Sequence, residues 1–351
     1  MRVRLTIAVA LAALTATLPL RLGAQSGATQ AAPAGQVIGS RSFSPMVENV
    51  DAAAQFYERL GLKVTPPAGG GATYPWDEEA WHYDLHGGQA PRSQMRFMYA
   101  SVPGAVAPAM PLLVEPVEHR NIDRRSQVLR PQDPGVTTLV LLVRDLDAAA
   151  KRLPDGARQP VRTVRAYGGM ARAMTVAVPG AHLVELLQLD PLPATTAPAD
   201  ASVIGAWVRV TVADLDRTLS LYRDAFGLSF QTSTLTDADV GGLAGTTTAR
   251  VKRAAATLPG PGTTLEFLEF SGVDRRAFTP RIQDPGAVRL QLTVRRLETT
   301  LDSLHHAGPS IVASNGIVTQ PQYRVAVASD LNGLFLVLTD RPASPPGSAR
   351  P

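Results

Sequence analysis

The chain contains no cysteine. That excludes a disulfide framework, a thiolate nucleophile and the lipid-anchored form of export that needs a cysteine at the mature N-terminus. Stability has to come from core burial, and any metal has to be held by oxygen and nitrogen ligands. Aromatic residues are scarce, at 5%, so Leu, Val and Ala must fill most of the interior. Hydrophobic residues at 45% and charged residues at 18% still supply a globular core. A strong charge excess is missing too. Of the formal net charge of +4, Arg2, Arg4 and Arg21 carry three and no acid lies among them, which leaves the rest of the chain near +1. Nucleic acid needs a clustered basic surface and is not expected as a partner. Nothing matches a nucleophile triad or a phosphate-cradling loop.

What is present begins with a targeting pattern. Arg2 and Arg4 precede an uncharged apolar run, Leu5 to Leu20, and small residues follow at Leu22-Gly23-Ala24-Gln25. Basic, apolar and small-residue regions in that order read as a secretory signal over residues 1–24. The alternative is an uncleaved anchor, but the run is short for a span of about 20 residues. The expectation is a periplasmic or secreted protein without a stable membrane anchor.

The remaining length suits two domains, and the sequence is internally duplicated. Arg130-Pro131-Gln132-Asp133-Pro134-Gly135 returns as Arg281-Ile282-Gln283-Asp284-Pro285-Gly286, an offset of 151 residues. At the same offset Asp123-Arg124-Arg125 matches Asp274-Arg275-Arg276, and Glu115 and Glu118 match Glu266 and Glu269. A shorter repeat lies inside each half. Asn49-Val50-Asp51, Asp145-Leu146-Asp147 and Asp214-Leu215-Asp216 each open a helical pattern, and Arg296-Leu297-Glu298 is a fourth copy without the leading acid. Asn or Asp there caps a helix by accepting from its free N–H groups, and glycines after the pattern, such as Gly61 and Gly227, suit helix ends.

An alternating strand precedes each helix. Val208, Val210 and Val212 alternate with Trp207, Arg209 and Thr211, and Leu290, Leu292 and Val294 alternate with Arg289, Gln291 and Thr293. Turn sequences such as Val178-Pro179-Gly180 and Leu258-Pro259-Gly260 then introduce further strands. The reading is a first domain over 36–190 (modules 36–122 and 130–190), a linker over 191–202, a second domain over 203–340 (modules 203–273 and 281–340), and a disordered tail over 341–351. Asp-Pro-Gly is turn chemistry, so the repeated Arg-x-Gln-Asp-Pro-Gly reads as a structural link between modules.

The segments Asp214-Leu215-Asp216 through Leu221-Tyr222 to Phe226-Gly227-Leu228, and Val178-Pro179-Gly180-Ala181-His182-Leu183-Val184-Glu185, resemble the vicinal-oxygen-chelate superfamily of glyoxalase I, bleomycin-resistance proteins and extradiol dioxygenases. The resemblance implies an α+β fold of two tandem domains, each made of paired βαβββ modules forming a curved, cup-like sheet. Four modules in one chain complete two cups most economically when each half pairs its own two. The resemblance also implies metal-ligand places on the first and last strand of each module. Carried over, the first-strand places fall near Ser42 and on Thr138, Trp207 and Arg289, and the last-strand places on Glu115, Glu185, Glu266 and Val337.

Hydroxyl, indole, guanidinium and alkyl groups are poor or useless ligands for a divalent cation. No cofactor is therefore expected. The one route to a divalent metal is the first domain, through Glu115 and Glu185. Trp207, Arg209, Thr211, Glu266, Arg289 and Gln291 are expected to line the second domain's cup, a polar pocket for a small anionic or planar ligand. The competing reading is a Glu266–Arg289 ion pair closing an empty cup. His82 and His86 share the spacing of one helical face beside Asp77, Glu78 and Glu79, and read as a solvated insertion. The function expected is an exported, metal-independent small-molecule binder. The alternatives are a metal-dependent lyase, isomerase or dioxygenase in the first domain, and a scaffold using residues 65–95. The oligomeric state is not encoded in any feature of the sequence.

Overall fold

The computed structural model describes residues 36–66, 93–106, 109–155, 158–166, 169–178, 180–235, 249–260, 262–311, 316–319 and 322–341. The signal-like segment, His82 and His86, and the tail beyond residue 341 lie outside them. The first module contains strands Val37–Val47 (β1), Lys63–Thr65 (β2), Gln94–Phe97 (β3), Tyr99–Ser101 (β4), Leu113–Val114 (β5) and Val117–Arg120 (β6), with helix Val50–Leu60 (α1). The second has Thr137–Val143 (β7), Leu146–Lys151 (α2), Arg162–Ala166 (β8), Gly169–Ala177 (β9) and Leu183–Asp190 (β10). The third has Val203–Thr211 (β11), Leu215–Phe226 (α3), Gln231–Leu235 (β12), Arg250–Thr257 (β13) and Thr264–Ser271 (β14). The fourth has Val288–Val294 (β15), Leu297–Ala307 (α4), Ser310–Ile311 (β16), Val318–Thr319 (β17), Arg324–Ser329 (β18) and Phe335–Asp340 (β19).

The helices start where the repeat places them. Asn49, Asp145 and Asp214 each accept backbone N–H bonds from the first turn of their helix, and Arg296 makes no side-chain cap. A second cap comes from the last strand of the same module. Glu118 accepts from Val50 N, Gln188 from Leu146 N, Glu269 from Leu215 N and Asp340 from Leu297 N, at 2.8–3.0 Å. Each of these residues stands three places after the last-strand position at 115, 185, 266 or 337. The recurrence of Glu118 at Glu269 therefore has a structural cause: a carboxylate on the positive end of a helix.

The sheets correct one expectation. Modules of the same half do not share a sheet. In one sheet β1 pairs antiparallel with β15, joining the first and fourth modules; in the other β7 pairs antiparallel with β11, joining the second and third. The first strand of every module has one edge taken by its own later strands, as in β7–β10 and β15–β19, and the free edges meet across the halves. An unpaired central edge would be an aggregation template, and this arrangement leaves none. Within a half the modules meet through the helical layer instead. Tyr57 Oη lies 2.7 Å from His182 Nε2, and Tyr222 Oη donates to Asp330 at 3.1 Å, all four side chains being buried. One apolar core, with Phe43, Leu139, Val208 and Leu290 among its members, runs under all the helices. Burial holds the His182 imidazole down at a pKa of about 3, so it is neutral in the core.

The duplicated Arg-x-Gln-Asp-Pro-Gly segments form reciprocal clasps. Arg130 binds Asp133 in its own turn and Asp274 in the other half; Arg281 binds Asp284 in its own turn and Asp123 in the other half. Asp133 also accepts from Arg276 N, and Asp284 from Arg125 N. Gly135 closes the first turn at φ +95°, and a Cβ there would sit 2.2 Å from Phe278 O, so only glycine fits. Residues 191–202 join β10 to β11 and dock on the first module, where Thr196 N donates to Ala105 O.

Candidate functional site

Each sheet packs helices on one face, through side chains such as Phe43, Leu139, Val208 and Leu290, and the opposite face forms its cup. The face opposite the helices is polar at its centre, because the first-strand and last-strand positions named above converge there. The inner cup is built by modules two and three and the outer cup by modules one and four.

In the inner cup, parallel pairing sets Arg209 on β11 beside Glu266 on β14, and antiparallel pairing sets it opposite Thr138 on β7. Arg209 Nε donates to Glu266 Oε2 at 2.7 Å and Nη1 donates to Glu185 Oε2 at 2.8 Å. Trp207 Nε1 donates to the same Glu266 oxygen at 3.0 Å, and Arg253 on β13 donates to the other. The last-strand glutamates of the two modules are thus bridged by one guanidinium. Arg209, Glu185 and Glu266 are 4%, 2% and 0% exposed, so the charges interact through protein rather than water. Burial alone would raise the Glu266 pKa, but Arg209 and Arg253 outweigh it and hold the carboxyl near 2. A cavity of about 10 Å³ lies beside Thr138, Thr175, Glu185 and Arg209. That is room for about one water, which would meet Glu185 Oε1, a buried oxygen with no hydrogen-bond partner among the described residues.

The outer cup differs in kind. Glu115 follows β5, with its N–H on Phe43 O, and its Oε2 accepts from Ser42 Oγ at 2.8 Å, Ser44 Oγ at 2.8 Å and Gln291 Nε2 at 2.6 Å. Arg289 lies opposite Ser44 on β15 and beside Phe335 on β19, while Gln291 lies beside Val337. Arg289 is 7% exposed, and its buried Nε has no hydrogen-bond partner among the described residues. Burial lowers its basicity and the field of Glu115 opposes that. The same face carries an apolar cluster of Met46, Val327, Phe335 and Val337 with Phe97 packed against them, and further polar groups in the buried His119 and the Thr293–Thr339 pair. Tyr99, half-buried, has its hydroxyl pKa raised by burial and by Glu115, with Arg41 opposing.

The sequence-selected residues are therefore redistributed. Trp207, Arg209, Thr211 and Glu266 belong to the inner cup, and Arg289 and Gln291 to the outer. They do not line one pocket. Thr211 is spent on the module connection, donating to Pro131 O at 2.6 Å. The alternative Glu266–Arg289 ion pair is not made, since the two stand in different sheets. For the same reason Glu115 and Glu185 do not share a cup, which removes the pairing on which a first-domain metal site rested. Sequence reasoning missed Arg253, which no motif marks, and Tyr99.

No protein-family model matches the chain, and no curated protein matches it by sequence. Solved structures do match. Glyoxalase I from Zea mays superposes with a TM-score of 0.50 at 14% identity, over 86% of this chain and 92% of its own. A candidate dioxygenase from Bacillus subtilis subsp. subtilis str. 168 superposes with a TM-score of 0.52 at 13% identity, over 88% and 86%. The fold is the vicinal-oxygen-chelate fold. Both matches span nearly the whole chain, so the likeness covers all four modules.

A vicinal-oxygen-chelate cup invites the question whether its residues fit a divalent metal. In the inner cup the four places hold Thr138, Glu185, Trp207 and Glu266, and the two carboxylates already clasp a guanidinium. In the outer cup they hold Ser42, Glu115, Arg289 and Val337, one carboxylate facing a cation and an alkyl group. Neither donor set suits a divalent ion. Among the described residues no group of three or more His, Asp or Glu side chains is placed to hold one.

Proposed function

We propose that the protein is a metal-independent binder of a small anionic molecule, held in the outer cup. The observation that carries this is Arg289: a guanidinium more than nine-tenths buried, on the cup face, with Nε unsatisfied among the described residues. A buried guanidinium with an unsatisfied N–H carries a desolvation cost, and a ligand carboxylate or similar oxyanion offsets that cost with charge-assisted bonds. The inner cup offers no such demand, because its arginine is already neutralised by two carboxylates.

The test is calorimetric titration of the purified protein with 4-methylpentanoate and benzoate, with and without EDTA. Saturable binding, unchanged by chelator or by added zinc and lost by at least tenfold in Arg289→Met, is the expected result. Binding that requires added metal, or that survives Arg289→Met, rejects the reading. Action outside the cytoplasm belongs to the same proposal and rests on the pattern from Arg2 to Gln25. It expects the chain, expressed in a Gram-negative host, in the periplasmic fraction at the mass of residues 25–351; retention in the cytoplasm at full mass rejects it. None of the described helices is long and apolar enough to cross a membrane.

A further inference from the structure

The outer cup presents two charges of opposite sign that do not neutralise each other. Glu115 has one oxygen, Oε2, saturated by three donors, Ser42, Ser44 and Gln291. Those donors fix the carboxylate in place, and among the described residues no donor meets Oε1. Arg289 feels the field of Glu115, yet no ion pair closes between them among the described residues. In the inner cup, where arginine and glutamate also share a sheet face, the ion pairs close at 2.7 and 2.8 Å. Failure to close is therefore a property of the outer cup, not of the fold. Across the sheet the order on the cup face is Glu115 after β5, the two serines on β1, Arg289 and Gln291 on β15, Phe335 and Val337 on β19, and Val327 on β18. Neighbouring strands stand about 4.8 Å apart, so a fixed acceptor, a buried cation and an apolar floor follow one another within the reach of a small molecule.

We infer that the ligand is a zwitterion with an apolar body, of the class of an aliphatic or aromatic α-amino acid: its carboxylate on Arg289, its ammonium on Glu115 Oε1, its side chain over Val337, Phe335 and Val327. Each of these two charges then meets its opposite, and the buried Arg289 is no longer left without a partner. A simple carboxylic acid satisfies Arg289 but puts its negative charge beside Glu115 with no donor for the free oxygen. An amine does the reverse. This inference rests on the anion-binding reading above and narrows it.

The experiment compares L-leucine, 4-methylpentanoate and 3-methylbutylamine, which share one carbon skeleton and differ in which charges they carry. Calorimetry is run on the full chain and on Arg289→Met and Glu115→Gln, each variant first checked for an unchanged circular dichroism spectrum. Leucine is expected to bind at least tenfold more tightly than either single-charge analogue. Glu115→Gln is expected to abolish leucine's advantage over 4-methylpentanoate, and Arg289→Met its advantage over 3-methylbutylamine. If 4-methylpentanoate binds as tightly as leucine and both depend on Arg289, the zwitterion inference fails and the anion-binding reading stands. If neither leucine nor 4-methylpentanoate binds the unaltered chain, both fail.

Discussion

The two cups are copies of one design and have reached opposite electrostatic solutions. In the inner cup a single guanidinium, Arg209, sits between the last-strand glutamates of two modules, and Arg253 and Trp207 also donate to Glu266. The two carboxylates and two guanidiniums offset one another inside the protein, and the cavity beside Thr138 and Glu185 holds about one water. In the outer cup only one of the two last-strand glutamates survives, with Val337 in the other place, and Arg289 has no carboxylate to grip. The lesson is that the position of a charge on the fold does not decide its role; the number of opposite charges it meets does. One more glutamate turns a cup into a structural lock, and one fewer leaves a cation available.

Substitutions in the two cups should therefore have opposite consequences. The largest effect is expected from Arg209→Met. It leaves Glu185 and Glu266 buried without their shared counter-ion, at a cost of about 3–5 kcal/mol, read as a lower denaturation midpoint. A midpoint unchanged from the parent chain would erase the distinction between the cups. Acid comes next. The Glu266 carboxyl is depressed from 4.5 to about 2, so its contribution is complete above pH 4.5 and is lost as pH falls towards 2. The stability at stake is of order 3 kcal/mol, and chemical denaturation repeated between pH 5 and about 2.5 measures most of it. In Glu266→Gln the slope over that interval should flatten. The smallest effect is expected from Arg289→Met. Replacing an unsatisfied buried cation by an apolar group of similar length should leave stability unchanged or raise it by up to about 1 kcal/mol. A loss as large as that of Arg209→Met would mean that Arg289 is structural after all.

Much of this architecture is legible in the sequence, and the part that is not has a physical reason. The helix starts can be read because Asn49, Asp145 and Asp214 act locally on backbone N–H groups two or three residues away. The cup-facing side of β11 can be read because side chains alternate along a strand, which puts Trp207, Arg209 and Thr211 together. Which modules share a sheet cannot be read that way. The repeat identifies four equivalent free edges, and every one of them is chemically able to pair with any other. That ambiguity reaches the site: nearness in sequence groups Glu115 with Glu185 and Arg289 with Glu266, whereas the sheets separate both pairs. Arg253 carried no signal at all, since a strand arginine among Val251, Lys252 and Ala254 looks like any solvated residue until β13 is laid beside Glu266 on β14.

The crossing of the halves carries one more consequence. Residues 191–202 are the only covalent connection between a fragment ending at β10 and one beginning at β11, yet each sheet contains strands from both fragments. The ladders β1–β15 and β7–β11 and the clasps Arg130–Asp274 and Arg281–Asp123 all cross that boundary. A chain nicked there is expected to stay together as a two-piece complex, co-eluting in gel filtration, rather than to separate into two domains. The molecule is, in effect, a heterodimer whose subunits happen to be tethered, and either piece without the other is a half-built pair of sheets.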